Sequence, residues 1–506
     1  MTAVHYPSTV EKWCVFEAAV PGHSDKNPFV DYYIKGLFKS KNEAVEVDGF
    51  YDGNGVYKVR FMPSFEGEYT FRIQGSFSDD TYSGSFTVTP ASPGNHGPVR
   101  VAGTYHFAYE DGTPYYPIGT TCYVWTHQKP ALQELTLDTL KNSVFNKIRF
   151  CILPKHYIYN FNEPLTYPYE GTPCDSSRLN RENFMDPELL KGNNWDFARF
   201  NPKHFQLIEQ RIQNLMDLGI EADLIVMHPY DRWGFSSMEP EADDLYWKYV
   251  IARFAAFRNV WWSLANEYDL MKRKTLRDWE RYAAIICEKD PYNHLRSIHN
   301  CRSIYDFTRP WVTHCSIQRV DPYKTTELTD DYRQRYGKPV IMDEICYEGN
   351  IERGWGNISG QEMVRRFWEA TCRGGYATHG ETFVHPEGIL WWSHGGTLHG
   401  ASPERLKFLY QILCEVPGHG LRPHRLYTDS VTAVPESSAY QGEYYLDYQG
   451  FNRPSFRIYH FDDVHIYKVD VIDTWNMTIT DAGVHQSRFT IKLPGREYIA
   501  VRIRRV

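Results

Sequence analysis

Two acidic residues stand where a carboxylate costs free energy unless it is paired or used. The first closes Val260-Trp261-Trp262-Ser263-Leu264-Ala265-Asn266-Glu267, a run apolar enough for a strand buried on both faces. The second closes Pro339-Val340-Ile341-Met342-Asp343-Glu344, 77 residues further on (344 − 267). The carboxyl end of a buried parallel strand is where α/β barrels keep their chemistry. Two acids facing one another across a pocket there could cleave a glycosidic bond, one protonating the leaving oxygen and the other attacking the anomeric carbon. Double displacement needs them about 5 to 5.5 Å apart, inversion about 6.5 to 9.5 Å. One must be protonated and the other ionised at the same pH, so their surroundings must differ.

Further candidates fall on the same rim. His228 and Tyr230, in Met227-His228-Pro229-Tyr230, follow a third apolar run and could bind sugar hydroxyls. Trp125, His127 and Lys155 follow the first two runs. His379 and Glu381 follow the last, where the acid could hold a hydroxyl pair or neutralise a nearby cation. Trp355, Trp391 and Trp392 could stack on a sugar face, since an indole meets axial C–H groups well. Each has a plainer role open to it as core packing or a loop anchor. Asp343 reads as a structural acid bound to backbone or to an arginine. A catalytic metal is not expected: no His-x-His falls on the first strand, and no His-Glu-x-x-His occurs. Gly374-Gly375 has no following Lys, so no phosphate loop and no cofactor is expected.

These residues need a scaffold of alternating strands and helices. The expected strands are Tyr116 to Tyr123, Lys147 to Leu153, Ala222 to His228, Val260 to Glu267, Arg296 to His299, Val312 to Gln318, Val340 to Glu344 and Tyr376 to Glu381. Helical patterns lie between them, as in Leu207, Ile208, Ile212, Leu215 and Met216, which form one stripe. That is the pattern of a (β/α)8 barrel over residues 116–418. Pro154 to Asn201 is its longest non-periodic insertion, rich in tyrosine, and reads as a pocket wall. Residues 1–90 alternate with period two, as Tyr69, Phe71 and Ile73 do, and read as an antiparallel β-sandwich. Residues 91–115 form a linker and a hairpin from Val99 to Glu110 turning at Asp111-Gly112, and 419–506 a second small sandwich. The fold class is therefore α/β, a TIM barrel flanked by antiparallel β-sandwiches.

Composition narrows the partners. The 506 residues carry a net charge of −8, which argues against nucleic acid or an anionic membrane surface as partner. No run of 18 apolar residues occurs, and aromatics reach 16%, which suits a carbohydrate partner. A homo-oligomer is compatible with these features. The opening Met1 to Pro7 lacks a basic and apolar leader, and ten cysteines include no Cys-x-x-Cys. Both point to the cytoplasm.

Asn266-Glu267 closing the fourth strand and Glu344 closing the seventh resemble the retaining glycoside hydrolases of clan A. The resemblance implies Glu267 as acid/base, Glu344 as nucleophile, Asn266 bonding the sugar 2-hydroxyl, and Arg149, in Asn146-Lys147-Ile148-Arg149-Phe150, beside the nucleophile. Lys12-Trp13-Cys14-Val15-Phe16-Glu17, Gly49-Phe50-Tyr51-Asp52-Gly53 and Asn95-His96-Gly97-Pro98-Val99 look like the sandwich preceding such barrels in bacterial glycosidases. Asp473-Thr474-Trp475-Asn476-Met477-Thr478 resembles their C-terminal domain, and the barrel is similar to the apiosidase-like group. Two positions depart from the clan's pattern. Ser316-Ile317-Gln318-Arg319 stands where strand six often ends in Tyr or His, and His379-Gly380-Glu381 where strand eight often ends in Trp. The expected activity is hydrolysis of a small glycoside or short oligosaccharide. The rival readings are a sugar-binding protein on a retired barrel and a transglycosidase.

Overall fold

The computed structural model describes residues 4–386, 388–461 and 464–506. The opening Met1, Thr2 and Ala3 of the leader reading lie outside them. Eight parallel strands make the central sheet: β1 (Ile118–Thr121), β2 (Lys147–Cys151), β3 (Glu221–Met227), β4 (Val260–Ala265), β5 (Arg296–Ser297), β6 (Cys315–Gln318), β7 (Val340–Glu344) and β8 (Tyr376–His379). Their order is β5-β4-β3-β2-β1-β8-β7-β6. A parallel bridge between His299, just past β5, and Ser316 of β6 joins the two ends of that order. The fold is an α/β TIM barrel with flanking antiparallel sheets. Every residue of β2, β3, β4, β6, β7 and β8 is buried; β3 and β4 are largely apolar, while β2 alternates Lys147 and Arg149 with Ile148 and Phe150.

Contacts group the chain into two units: 1–99 with 123–134 and 149–298, and 100–122 with 135–148 and 299–506. In the first unit, strands Thr9–Glu11, Thr81–Thr89, Gly67–Gly75, Ile34–Lys39 and Ala44–Asp48 form one sheet in that order. Phe16–Pro21, Val56–Phe61 and Phe50–Tyr51 form a second, three-stranded sheet. Period-two patterning puts Tyr69, Phe71 and Ile73 inward, and Phe38 stacks on Phe61 with ring centroids 4.3 Å apart. Buried charges tie this sandwich to the barrel helices of the same unit. Arg60 and Arg253 hold Glu209 at 2.7 and 2.6 Å, and Arg253 holds Asp52 at 2.7 Å. The helix Pro202–Asp217 starts with Pro at its first turn and buries Ile208, Ile212, Leu215 and Met216.

The second unit carries β1, β8, β7 and β6 and the C-terminal sheets. Six strands, from Leu421–His424 to Thr478–His485, make one sheet, and Phe456–His460 pairs with Arg488–Lys492. Tyr459, Phe461, Tyr467, Val469 and Ile491 lie in the core of this region.

Three local expectations differ from the structure. The hairpin after the linker is three-stranded, Val99–Ala102, His106–Tyr109 and Pro114–Tyr115. Asp111-Gly112 turns between the last two, with Gly112 at φ 89°. The insertion contains its own hairpin, Tyr169–Thr172 with Asn194–Phe200. Strand β8 stops at His379, and the next residue, Gly380, lies against the ring of Tyr347 where no Cβ fits. Glu381 then opens a separate two-residue strand, pairing with Glu348. Among the described residues, no helix is long and apolar enough to cross a membrane.

Candidate active site

Each candidate acid sits in its own set of partners. In the first unit the chain leaves β4 through Asn266 and Glu267, and Glu267 adopts a left-handed backbone, φ 50° and ψ 52°. Any residue with a Cβ is strained in that conformation, and such strain persists only where the surroundings over-determine it. Those surroundings are on hand. Tyr230 donates its hydroxyl to Glu267 Oε2, and Asn266 Nδ2 lies 3.4 Å from the same oxygen. Asn266 Oδ1 accepts from Tyr123 and from Arg149 Nη2, both at 3.3 Å, which fixes the amide with its NH2 toward Glu267. Arg149 is fully buried and also lies 3.6 Å from Asp223.

In the second unit β7 ends in Asp343 and Glu344, both buried. Asp343 accepts from Lys147 Nζ at 3.0 Å, Ser316 Oγ at 2.6 Å and Thr378 Oγ1 at 2.7 Å. A lysine and two hydroxyls hold it, where the sequence pointed to the backbone or an arginine. Glu344 Oε1 lies 3.3 Å from Nε2 of His299, whose Nδ1 is 3.1 Å from Ser316 Oγ. Because Ser316 gives its hydroxyl proton to Asp343, the His299 Nδ1–H is the donor in that contact. An imidazole, able to carry charge, thus attends Glu344, whereas a phenol and an amide attend Glu267.

Comparison with known proteins follows from this geometry. Residues 9–76 match the family described as domain of unknown function DUF5060, and residues 433–504 that described as domain of unknown function DUF5605. A search of curated proteins finds no match. Among solved structures, a "putative glycoside hydrolase" from Bacteroides vulgatus ATCC 8482 is 38% identical, covers 99% of this chain and 100% of its own, and superposes with a TM-score of 0.91. The chain belongs to the glycoside hydrolases. A second structure, named only as a glycoside hydrolase, shares the fold at 15% identity and a TM-score of 0.60, covering 81% of this chain and 98% of its own.

The other candidates of this glycoside hydrolase divide between the rim and the interior. Lys155 places its ammonium 3.4 Å from the ring centroid of Tyr123 and 4.4 Å from that of Tyr230. His228 donates Nε2–H to the carbonyl of Leu153 at 3.1 Å, and burial pushes its pKa down to about 3, so it is a neutral loop anchor. His127 does the same toward Cys151 at 3.1 Å and packs against His204. Trp125 is wholly buried against Phe150. His379 is buried between Thr120 and the ring of Phe145. Trp391 donates to Thr120 Oγ1 at 2.9 Å, a core role. Trp392 and Trp355 lie 5.2 Å apart by ring centroids, with Tyr347 beside both.

Glu381 is pushed up to about 7, by burial first and by the neighbouring Glu348 charge, against N–H bonds that lower it. It accepts from His399 N at 2.5 Å and Gly400 N at 2.7 Å, while Glu348 accepts from Ala401 N at 2.7 Å and from Ser402 N at 3.0 Å. Glu348, His379 and Glu381 bring three donor atoms within 4.8 Å of one another. The carboxylate oxygens, however, face N–H and O–H donors, which suits a clasp on the start of the helix Ser402–Cys414 rather than a cation. Sequence reasoning missed His299, Tyr123 as a partner of Asn266, and Glu348. His299 had a readable signal, since it closes the expected fifth strand.

Proposed function

We propose that the chain is a metal-independent retaining glycosidase in which Glu344 attacks the anomeric carbon and Glu267 protonates the leaving oxygen, then activates water. The observation that carries this reading is the difference between the two surroundings, both at carboxyl ends of strands in one parallel sheet. Retaining chemistry needs one ionised and one protonated carboxyl, and sites achieve it by giving the pair unlike neighbours. His299 Nε2 lies 3.3 Å from Glu344 Oε1, whereas a phenol and an amide donate to Glu267. Asn266, with its amide oriented by Arg149 and Tyr123, presents its NH2 to a sugar 2-hydroxyl. Trp355 and Trp392 supply aromatic surface for a sugar face. The apiosidase-like resemblance directs attention to small glycosides, apiosides among the first. The lack of any Cys-x-x-Cys spacing fits a reducing compartment.

The test is a screen of aryl glycosides followed by two variants. Glu344→Ala should abolish turnover. Glu267→Ala should keep turnover of activated leaving groups, and azide should rescue its deglycosylation step with retained anomeric configuration. No turnover of any sugar with sugar binding intact would make the protein a binder instead. Absence of azide rescue, with no advantage for activated leaving groups, would overturn the roles.

A further inference from the structure

Lys155, in the loop that follows β2 in the first unit, is buried, and its ammonium lies over two tyrosine rings at once. The hydroxyls of those same two rings go to successive residues: Tyr123 to Asn266 Oδ1 and Tyr230 to Glu267 Oε2. We propose that Lys155 is a positioning residue for the acid/base, acting through Tyr123 and Tyr230 to set the donor strength and orientation at Asn266 and Glu267.

The physical basis is short. A cation over the π face withdraws electron density from a phenol and strengthens its O–H as a donor. Two strengthened donors then hold the amide and the carboxylate in one arrangement. Glu267 Oε2 takes both the phenol and the Asn266 NH2, so the transferable proton belongs on Oε1. The arrangement is fastened at the backbone as well. His156 N donates to the Tyr230 carbonyl at 2.8 Å, Asn160 Nδ2 caps the Lys155 carbonyl, and the Tyr157 ring meets Tyr230 edge-on at 5.1 Å. Lys155 is therefore held between the strand-2 and strand-3 loops by contacts that do not need substrate. The charged and titratable groups around this point in the unit are Arg149, Asp223, His228, Tyr123, Tyr157 and Tyr230. His228 is held neutral by burial, with Lys155 adding to the effect, so Lys155 reaches the Asn-Glu pair only through the two tyrosines.

This inference rests on the reading of Glu267 as the acid. Removing a donor or a cation from a carboxyl raises its pKa, so the basic limb of kcat/KM should move to higher pH. The probes are the nitrophenyl and unsubstituted phenyl glycosides of whichever sugar the screen identifies. Lys155→Met keeps the stem and should move that limb up by about one pH unit. It should also lower kcat/KM roughly tenfold on the phenyl glycoside and little on the nitrophenyl one. Lys155→Arg should restore both, since guanidinium also sits over aromatic rings. In a Tyr123→Phe, Tyr230→Phe background, which should itself move the limb, Lys155→Met should add nothing to it. An equal loss on both substrates with an unmoved limb would make Lys155 a mere substrate contact and overturn the proposal. If Lys155→Met does not fold, an unmoved limb in Tyr230→Phe has the same force. A limb that survives in Glu267→Gln would instead sink the acid/base reading itself, and a 13C carboxyl titration of Glu267 in wild type and Lys155→Arg separates the two without turnover.

Discussion

Glu381 should make this protein less stable as the pH rises through neutrality. Its carboxyl, buried beside Glu348, stands at about 7 against an ordinary 4.5. The folded state therefore holds its proton more tightly than the unfolded chain does. The resulting stabilisation is complete below the unfolded value and is lost as pH rises through the folded one. At about 1.4 kcal/mol per pH unit, that interval corresponds to roughly 3 kcal/mol, most of it falling between about pH 5 and pH 8. The assay is urea unfolding of wild type and Glu381→Gln across that range. Glutamine cannot ionise, but its NH2 cannot accept one of the two N–H bonds that Glu381 takes, so the variant carries a constant penalty at every pH. Between pH 5 and pH 8 the stability of wild type relative to the variant should fall by roughly 2 kcal/mol, or about 4 to 8 °C in Tm for a barrel-sized unit. Taking the difference removes the parallel contribution of Glu221, which burial pushes up to about 8. A wild-type-minus-variant difference that stays flat over the range would refute the reasoning. The N–H bonds from His399 and Gly400 would then outweigh burial, leaving Glu381 an ordinary ionised carboxylate.

Two further expectations concern the same unit. Asp343→Asn should leave the ammonium of Lys147 buried without its counter-charge and cost about 3 to 5 kcal/mol, read as a lower urea midpoint. Lys147→Met should cost less, because Ser316 and Thr378 still donate to Asp343. Gly400→Ala places a methyl against the carboxyl oxygens of both Glu348 and Glu381, and should cost about 1 to 3 kcal/mol in the same assay.

The barrel strands were legible because a parallel strand covered on both faces has no polar positions to interrupt it. Val260 to Ala265 and Val340 to Glu344 are such runs, and an acid at the end of one stands out by contrast. The sandwich strands were legible through alternation, as at Tyr69, Phe71 and Ile73. What sequence could not supply was the set of partners contributed by distant loops. Lys155 lies 112 positions before Glu267 (267 − 155), and its bearing on that acid depends on two tyrosines from two other segments. Periodicity describes one face of one element and is silent about which elements meet.

Strand β7 gives the sharpest case. Successive residues of a regular strand point to opposite faces, so Asp343 and Glu344 should not share one. Yet Ser316 donates to Asp343 and also contacts His299, which attends Glu344. One small cluster thus serves both acids. The register explains it: Met342 pairs with Ile317, but Gln318 pairs with Glu344, so Asp343 is an extra residue in the ladder. A bulge of this kind re-aims the side chains around it and is common beside active sites. It allows Asp343 to reach Lys147 and Thr378 while Glu344 meets His299, placing a rigid, satisfied acid next to the proposed nucleophile. No pattern of apolar and polar residues encodes that single-residue slip, because it is set by how β7 pairs with β6 and not by β7 alone.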